Sequence, residues 1–94
     1  MPPLWSLGYH QCRWNYKNEE ELVGISAKMT EHKVPCDAVW LDIEYSDEKR
    51  YFTWDQKQFQ NPRQMLDKIV EHGRRLVTIV DPHVKHDEEY FIYK

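Results

Sequence analysis

Hydrophobic and polar positions along this chain follow two periods in turn, one near two and one near 3.6. Residues 5–12, Trp5-Ser-Leu-Gly-Tyr-His-Gln-Cys12, read as a first strand. Gly8 weakens it locally and leaves room for another backbone to approach. Arg13 to Tyr16 follow as a polar-aromatic loop. From Asn18 the period lengthens: Leu22, Ile25 and Met29 recur at i, i+3 and i+7, the buried stripe of a helix. Asn18 is its cap and Glu21 has the spacing of a capping box. Glu19, Glu20 and Glu21 suit the positive end of the helix dipole, and Lys28, His32 and Lys33 suit the other end. Gly24 is a mild cost in the middle. Pro35 ends the helix, and a second strand runs from Cys36 to about Ile43.

That second strand is the most informative stretch. Ala38-Val39-Trp40-Leu41 is apolar throughout, as in a strand covered on both faces. Charge arrives only at its C-terminal end, with Asp42 and Glu44. Two apart in an extended chain, these carboxylates share a face. A buried strand that delivers acids to its own C-terminal edge is how α/β enzymes present a site. A solvated acidic turn accounts for the same local pattern.

Residues 45–60 form a long loop rich in charge and aromatics, in which Arg50 to Trp54 has the composition of a short strand. A loop this long in so small a chain is functional or disordered, and its aromatics argue for order. Asn61-Pro62 then starts a second helix with a cap and an N1 proline. Met65, Leu66, Ile69 and Val70 form its apolar face, and Gly73 closes it. Arg75 to Val80 is a third, β-branched strand, ending at Asp81-Pro82-His83. Strand, helix, strand, helix, strand implies parallel strands joined by right-handed crossovers, an α/β architecture. Trp14, Asp42, Glu44, Asp81 and His83 all follow strands, on the functional face of such folds. Three parallel strands with two helices leave open edges and a bare sheet face. The chain therefore reads as part of a larger barrel or sheet.

Composition narrows the function classes. With 94 residues there is one domain at most, able to bury roughly 60–65% of its unfolded surface. Thirteen basic against sixteen acidic residues give a net charge of −3, not the basic footprint of a nucleic-acid binder. No run is long enough to span a bilayer, and the first residues lack the regions of a signal peptide. Four Trp, six Tyr and three Phe, several beside charges, serve either a small core or a ring-shaped ligand. Cys12 and Cys36 form no Cys-x-x-Cys pair and read as small buried hydrophobes. His83 and His86, with Asp81 and Asp87, match no strong metal-ligand spacing.

Four stretches, in order, resemble glycoside hydrolase family 31: residues 6–16 (Ser6-Leu-Gly-Tyr-His-Gln-Cys-Arg-Trp-Asn-Tyr16), 39–45 (Val39-Trp-Leu-Asp-Ile-Glu-Tyr45), 49–55 (Lys49-Arg-Tyr-Phe-Thr-Trp-Asp55) and 76–83 (Leu76-Val-Thr-Ile-Val-Asp-Pro-His83). The resemblance covers nearly the whole chain. It implies a partial (β/α)8 TIM barrel, with residues 1–94 as its first three strands and two intervening helices. It implies hydrolysis of terminal α-linked glucose with retention, a reaction that uses two carboxyl groups about 5–5.5 Å apart. The family's nucleophile lies in a Trp-x-Asp-Met-Asn-Glu type motif, which this chain only echoes at Trp40-Leu41-Asp42-Ile43-Glu44. No catalytic residue is therefore expected here.

By resemblance, Asp42 is the acid that hydrogen-bonds sugar hydroxyls in the −1 subsite, where a carboxylate makes charge-assisted bonds. Trp14 lines the same pocket and Ile43 lies beside it. Glu44 reads as a buried structural partner of Arg50 or Lys49, or as a ligand contact. Asp81-Pro82-His83 shapes the rim, and Arg50 to Trp54 brace the loop. The resemblance further implies an α-glucoside or glucosylated N-glycan as substrate, a regulatory β subunit as partner, and the endoplasmic-reticulum lumen or the cytoplasm as compartment. It implies no cofactor, metal, nucleic acid or membrane. The alternative is a non-catalytic truncated product with weak sugar or protein binding through its open strand edges.

Overall fold

The computed structural model describes residues 1–14 and 16–92. Three strands form one parallel sheet in the order β1 (His10–Gln11), β2 (Ala38–Leu41), β3 (Arg75–Thr78). Helix α1 (Glu19–Glu31) joins the first two and α2 (Pro62–Glu71) the last two. The expected alternation and strand direction are what the structure shows. All three strands end on the same edge of the sheet.

The first strand is much shorter than residues 5–12. Leu4–Leu7 winds into a 3-10 turn instead. The carbonyl of Pro3 accepts from both the amide and the hydroxyl of Ser6, at 3.0 and 2.6 Å, which draws the chain out of the sheet. Cys12, expected to be buried, is exposed because the strand stops at Gln11, whereas Cys36 is buried. At Gly8 the close neighbour is a side chain and not a backbone: a Cβ there would overlap the Asp37 carboxylate, which would have to turn aside. Its own dihedrals suit any residue. Gly8→Ala is expected to destabilise the protein by no more than about 1 kcal/mol, the cost of turning the Asp37 side chain aside. Adding Asp37→Gly should recover most of the loss in a double-mutant thermal melt. Two additive losses would disprove the clash.

Both helix starts differ in detail from expectation. Asn18 Oδ1 accepts from the Glu21 amide at 2.8 Å, as a cap should. The Glu21 carboxylate takes the Lys17 amide, at 3.2 Å, one residue before the position a capping box uses. Asn61 makes no side-chain cap at α2. Its amide instead donates to Glu19 Oε2 at 3.1 Å, tying the two helix starts together. Gly73, at φ 79°, sits in the left-handed region that closes α2.

On the helix side of the sheet, Leu22, Val39, Leu41, Phe59, Met65 and Ile69 form the core, joined by Tyr16, Tyr45 and Tyr51. Val70, expected on the apolar face of α2, is exposed. On α1 the fully buried positions are Leu22 and Ser26, with Ile25 and Met29 only half-buried. Ser26 is buried because Arg74 is. The Arg74 guanidinium, 5% exposed, donates to the Cys36 carbonyl, the Ser26 carbonyl and hydroxyl, and the Thr30 hydroxyl, at 2.8–3.0 Å. It knots α1, the entry to β2 and the entry to β3 at the N-terminal end of the strands.

Candidate functional site

At the opposite, C-terminal end of the strands the sequence-marked residues gather. β2 stops because Asp42 Oδ1 accepts from the Ile43 amide at 2.7 Å, starting a 3-10 turn over Ile43–Tyr45. The expectation that Asp42 and Glu44 share one face required an extended chain through Glu44, and this turn overrules it. Asp42 itself is still extended, with φ −80° and ψ −165°. Alternation therefore puts it in line with Ala38 and Trp40, opposite the core-facing Val39 and Leu41. Oδ2 of Asp42 accepts no hydrogen bond among the described residues.

Trp14 follows β1 and is 65% exposed. With Ile43, Glu44, Glu48 and Lys49 it lines a cavity of about 610 Å³, closed further by Lys17, Asn18, Ser46, Asp55 and Gln58. Asp42 is not among the lining residues. The structure thus brings Trp14 and Ile43 together and leaves Asp42 beside them on the strand's other face. A further cavity of about 350 Å³ lies between α1 and α2, with Glu19, Glu20 and Asn61 of their first turns on its wall. The strand-end cavity is the candidate site because aromatic and charged groups converge there.

Glu44 is not paired with Arg50 or Lys49. Both of its carboxylate oxygens are buried without a hydrogen-bond partner among the described residues. Arg50 is engaged elsewhere: Nη2 lies 2.8 Å from Glu48 Oε2, and Nε lies 3.2 Å from Asp87 without hydrogen-bond alignment. Two positions on the cavity wall were invisible in sequence. Glu48 and Lys49 have φ of 50° and 64°, the left-handed region, with no glycine to announce it.

Residues 45–60 are ordered by aromatics, as expected, but Arg50 to Trp54 forms no strand. One antiparallel bridge joins Asp47 and Arg50. Tyr45 donates to the Ile79 carbonyl at 2.8 Å, and its ring meets Trp54 edge-on at 5.5 Å. Tyr51 donates to Asp81 Oδ2 at 2.7 Å, with His83 packed edge-on at 5.7 Å. Asp81 and His83 thus brace the rim. Burial, and then the Asp81 carboxylate, push the Tyr51 phenol up to about 12. It therefore remains a donor at physiological pH. Its contribution to stability is complete below the ordinary phenol range and lost as pH rises toward 12. Among the described residues, no group of three or more His, Cys, Asp or Glu is placed to hold a metal.

A parallel sheet with crossover helices and a polar-aromatic cavity at the strand ends defines an α/β barrel segment of enzyme type. The profile of the "Glycosyl hydrolases family 31 TIM-barrel domain" matches residues 1–94, and the chain belongs to that family. It is 52% identical to "Glucosidase 2 subunit alpha" of Schizosaccharomyces pombe over 94 residues. It is 54% identical to "Probable glucan 1,3-alpha-glucosidase" of Arabidopsis thaliana over the same length. All of this chain, and 10% of each relative, is covered. A crystal structure of an ER glucosidase II heterodimeric complex of catalytic subunit and regulatory-subunit binding domain superposes with a TM-score of 0.90 at 51% identity. That match covers 94% of this chain and 10% of the other. The family 31 α-glucosidase of Bacteroides thetaiotaomicron superposes at 0.87 with 37% identity, over 100% of this chain and 16% of its own. The chain spans about a tenth of the curated relatives named here.

Proposed function

We propose that residues 1–94 are the opening part of the catalytic barrel of a retaining α-glucosidase acting on terminal α-linked glucose. The chain supplies substrate-binding residues, and the two catalytic carboxylates come from outside it. The observation that carries this reading is Asp42, held at the end of β2 by the Ile43 amide with Oδ2 free to accept. A carboxylate fixed by one oxygen presents the other in a set direction, and sugar hydroxyls donate to it with charge assistance. Trp14 offers a flat apolar face to the C–H side of a sugar ring. Ile43 adds apolar wall to the cavity that Trp14 lines.

The chemistry follows from what this segment lacks. Retention needs a nucleophile and an acid/base about 5–5.5 Å apart. Asp42 faces away from the core while Glu44 is sequestered in the following turn, so they do not make that pair. Asp42 instead strengthens its hydrogen bonds as the ring distorts toward an oxocarbenium-like state. Similarity to endoplasmic-reticulum glucosidase II supports a glucosylated N-glycan as substrate, a regulatory β subunit as partner and the reticulum lumen as compartment. The name of the Arabidopsis relative favours a second reading, in which the substrate is a glucan.

The complete barrel carrying this segment should release glucose from an aryl α-glucoside as the α-anomer, seen by proton NMR. The isolated 94-residue chain should give none. Turnover by the isolated chain above an Asp42→Ala control, or release of the β-anomer by the barrel, would overturn the reading.

A further inference from the structure

The loop after β2 adopts a costly backbone at the cavity edge. Glu48 and Lys49 are consecutive left-handed residues, and Phe52 follows at φ 67°. Each costs on the order of 1–2 kcal/mol outside glycine. Such geometry persists only where surroundings over-determine it, and it clusters at functional sites. The surroundings here are the segment after β3. Lys85 Nζ donates to the Glu48 carbonyl at 2.7 Å, and Tyr90 donates to the Tyr51 carbonyl at 2.6 Å. Asp81 takes the Tyr51 hydroxyl at 2.7 Å, and Asp87 lies against Arg50. Arg50 in turn holds the Glu48 carboxylate at 2.8 Å. Every residue flanking Lys49 is tied down, while the Lys49 ammonium makes no ion pair among the described residues.

We propose that Lys49 is a specificity-determining residue that donates to hydroxyls of the second sugar of an α-linked oligosaccharide whose first ring packs against Trp14. This rests on the α-glucosidase reading above and deepens it. Lys49 and Trp14 line one cavity of about 610 Å³, within the range that takes a ligand larger than a single pyranose. An ammonium has three donors and no acceptor, which matches hydroxyl oxygens. Its flexible stem adapts to more than one linkage geometry. The charged groups lining the cavity are Lys17 and Lys49 against Glu44, Glu48 and Asp55. That balance disfavours an anion and suits the neutral polyol of the α-glucosidase reading. The strained, clamped loop sets where the ammonium emerges, and the chain bears the cost of that strain for the sake of its position.

The test uses the complete enzyme with Lys49→Met, which keeps the stem and removes the charge. Kinetics are compared on an α-linked disaccharide and on α-glucosyl fluoride, whose leaving group is too small to reach Lys49. On the disaccharide, kcat/KM should fall about tenfold, chiefly through KM. On the fluoride it should change less than about twofold, and Lys49→Arg should recover much of the disaccharide loss. Equal losses on both substrates would show a loop collapse and overturn the proposal, as would no loss on either. A wild-type enzyme inert on both substrates would refute the α-glucosidase reading itself, and this proposal with it.

Discussion

Asp42→Asn in the complete enzyme is expected to lower kcat/KM on an α-glucoside by about a hundredfold or more, with the fold intact. The Asp42 side chain has two separable tasks in the proposed reading. Oδ1 caps the turn over Ile43–Tyr45 by accepting from the Ile43 amide at 2.7 Å. Asparagine does this as well as aspartate, because its carbonyl oxygen occupies the same place. The proposed second task is binding sugar hydroxyls through a charged acceptor. Asparagine replaces one carboxylate oxygen with an amide that donates where an acceptor is needed. Two charge-assisted bonds at about 1.5–3 kcal/mol each, realised most fully in the transition state, amount to a loss of about 3–6 kcal/mol. Asp42→Ala should add a drop in thermal stability, because it removes the cap too. If Asn restores activity to within about tenfold of wild type while Ala does not, Asp42 is a cap and not a sugar ligand.

The order of elements was legible because it depends on periodicity, which local sequence carries. Leu22, Ile25 and Met29 mark α1, and Asn61-Pro62 marks α2 to the residue. Parallel pairing followed from the alternation alone. What could not be read was set by partners distant in sequence. Ser26 looks like a surface position until Arg74, 48 residues later, is seen to bond it. The strand expected from Trp5 turns on one carbonyl, that of Pro3. At the site, Trp14, Ile43 and Asp42 were marked by motif, and the structure sets them at the same edge of the sheet. The lip was not marked. A left-handed pair without glycine leaves no trace in composition, because its cause is the strap of residues 81–90. Glu44 was misread for a related reason. Arg50 or Lys49 looked like its partner, but Glu48 and Asp87 hold the Arg50 guanidinium.

Arg74→Met should destabilise the complete enzyme by about 3 kcal/mol while leaving kcat/KM unchanged at temperatures below the melt. The side chain bonds four acceptors on two elements and is almost fully buried. Methionine fills similar space but donates nothing. The Cys36 carbonyl then loses its donor in a site closed to water, at about 1–3 kcal/mol, and the Ser26 hydroxyl keeps only its contact with His72 Nδ1. Relief of burying a charge offsets part of this, since replacing buried ionic groups by apolar ones is often neutral where all partners leave together. Here the partners stay. Arg74→Lys should recover little, because an ammonium cannot span acceptors arranged around a planar fork. Ser26→Ala should cost less, about 1–2 kcal/mol, since it removes one of the four Arg74 bonds and the contact of the hydroxyl with His72 Nδ1. Activity is spared because the knot closes the N-terminal end of the strands and the substrate residues stand at the other end, the division of labour usual in barrels. A stability loss below about 1 kcal/mol would mean that the guanidinium merely fills space, since orphaned carbonyls alone cost more than that. A fall in kcat/KM well below the melt would instead mean that the two ends of β2 are mechanically coupled. In that case the geometry at Asp42 would be set partly from the N-terminal end, through the four residues of the strand between them.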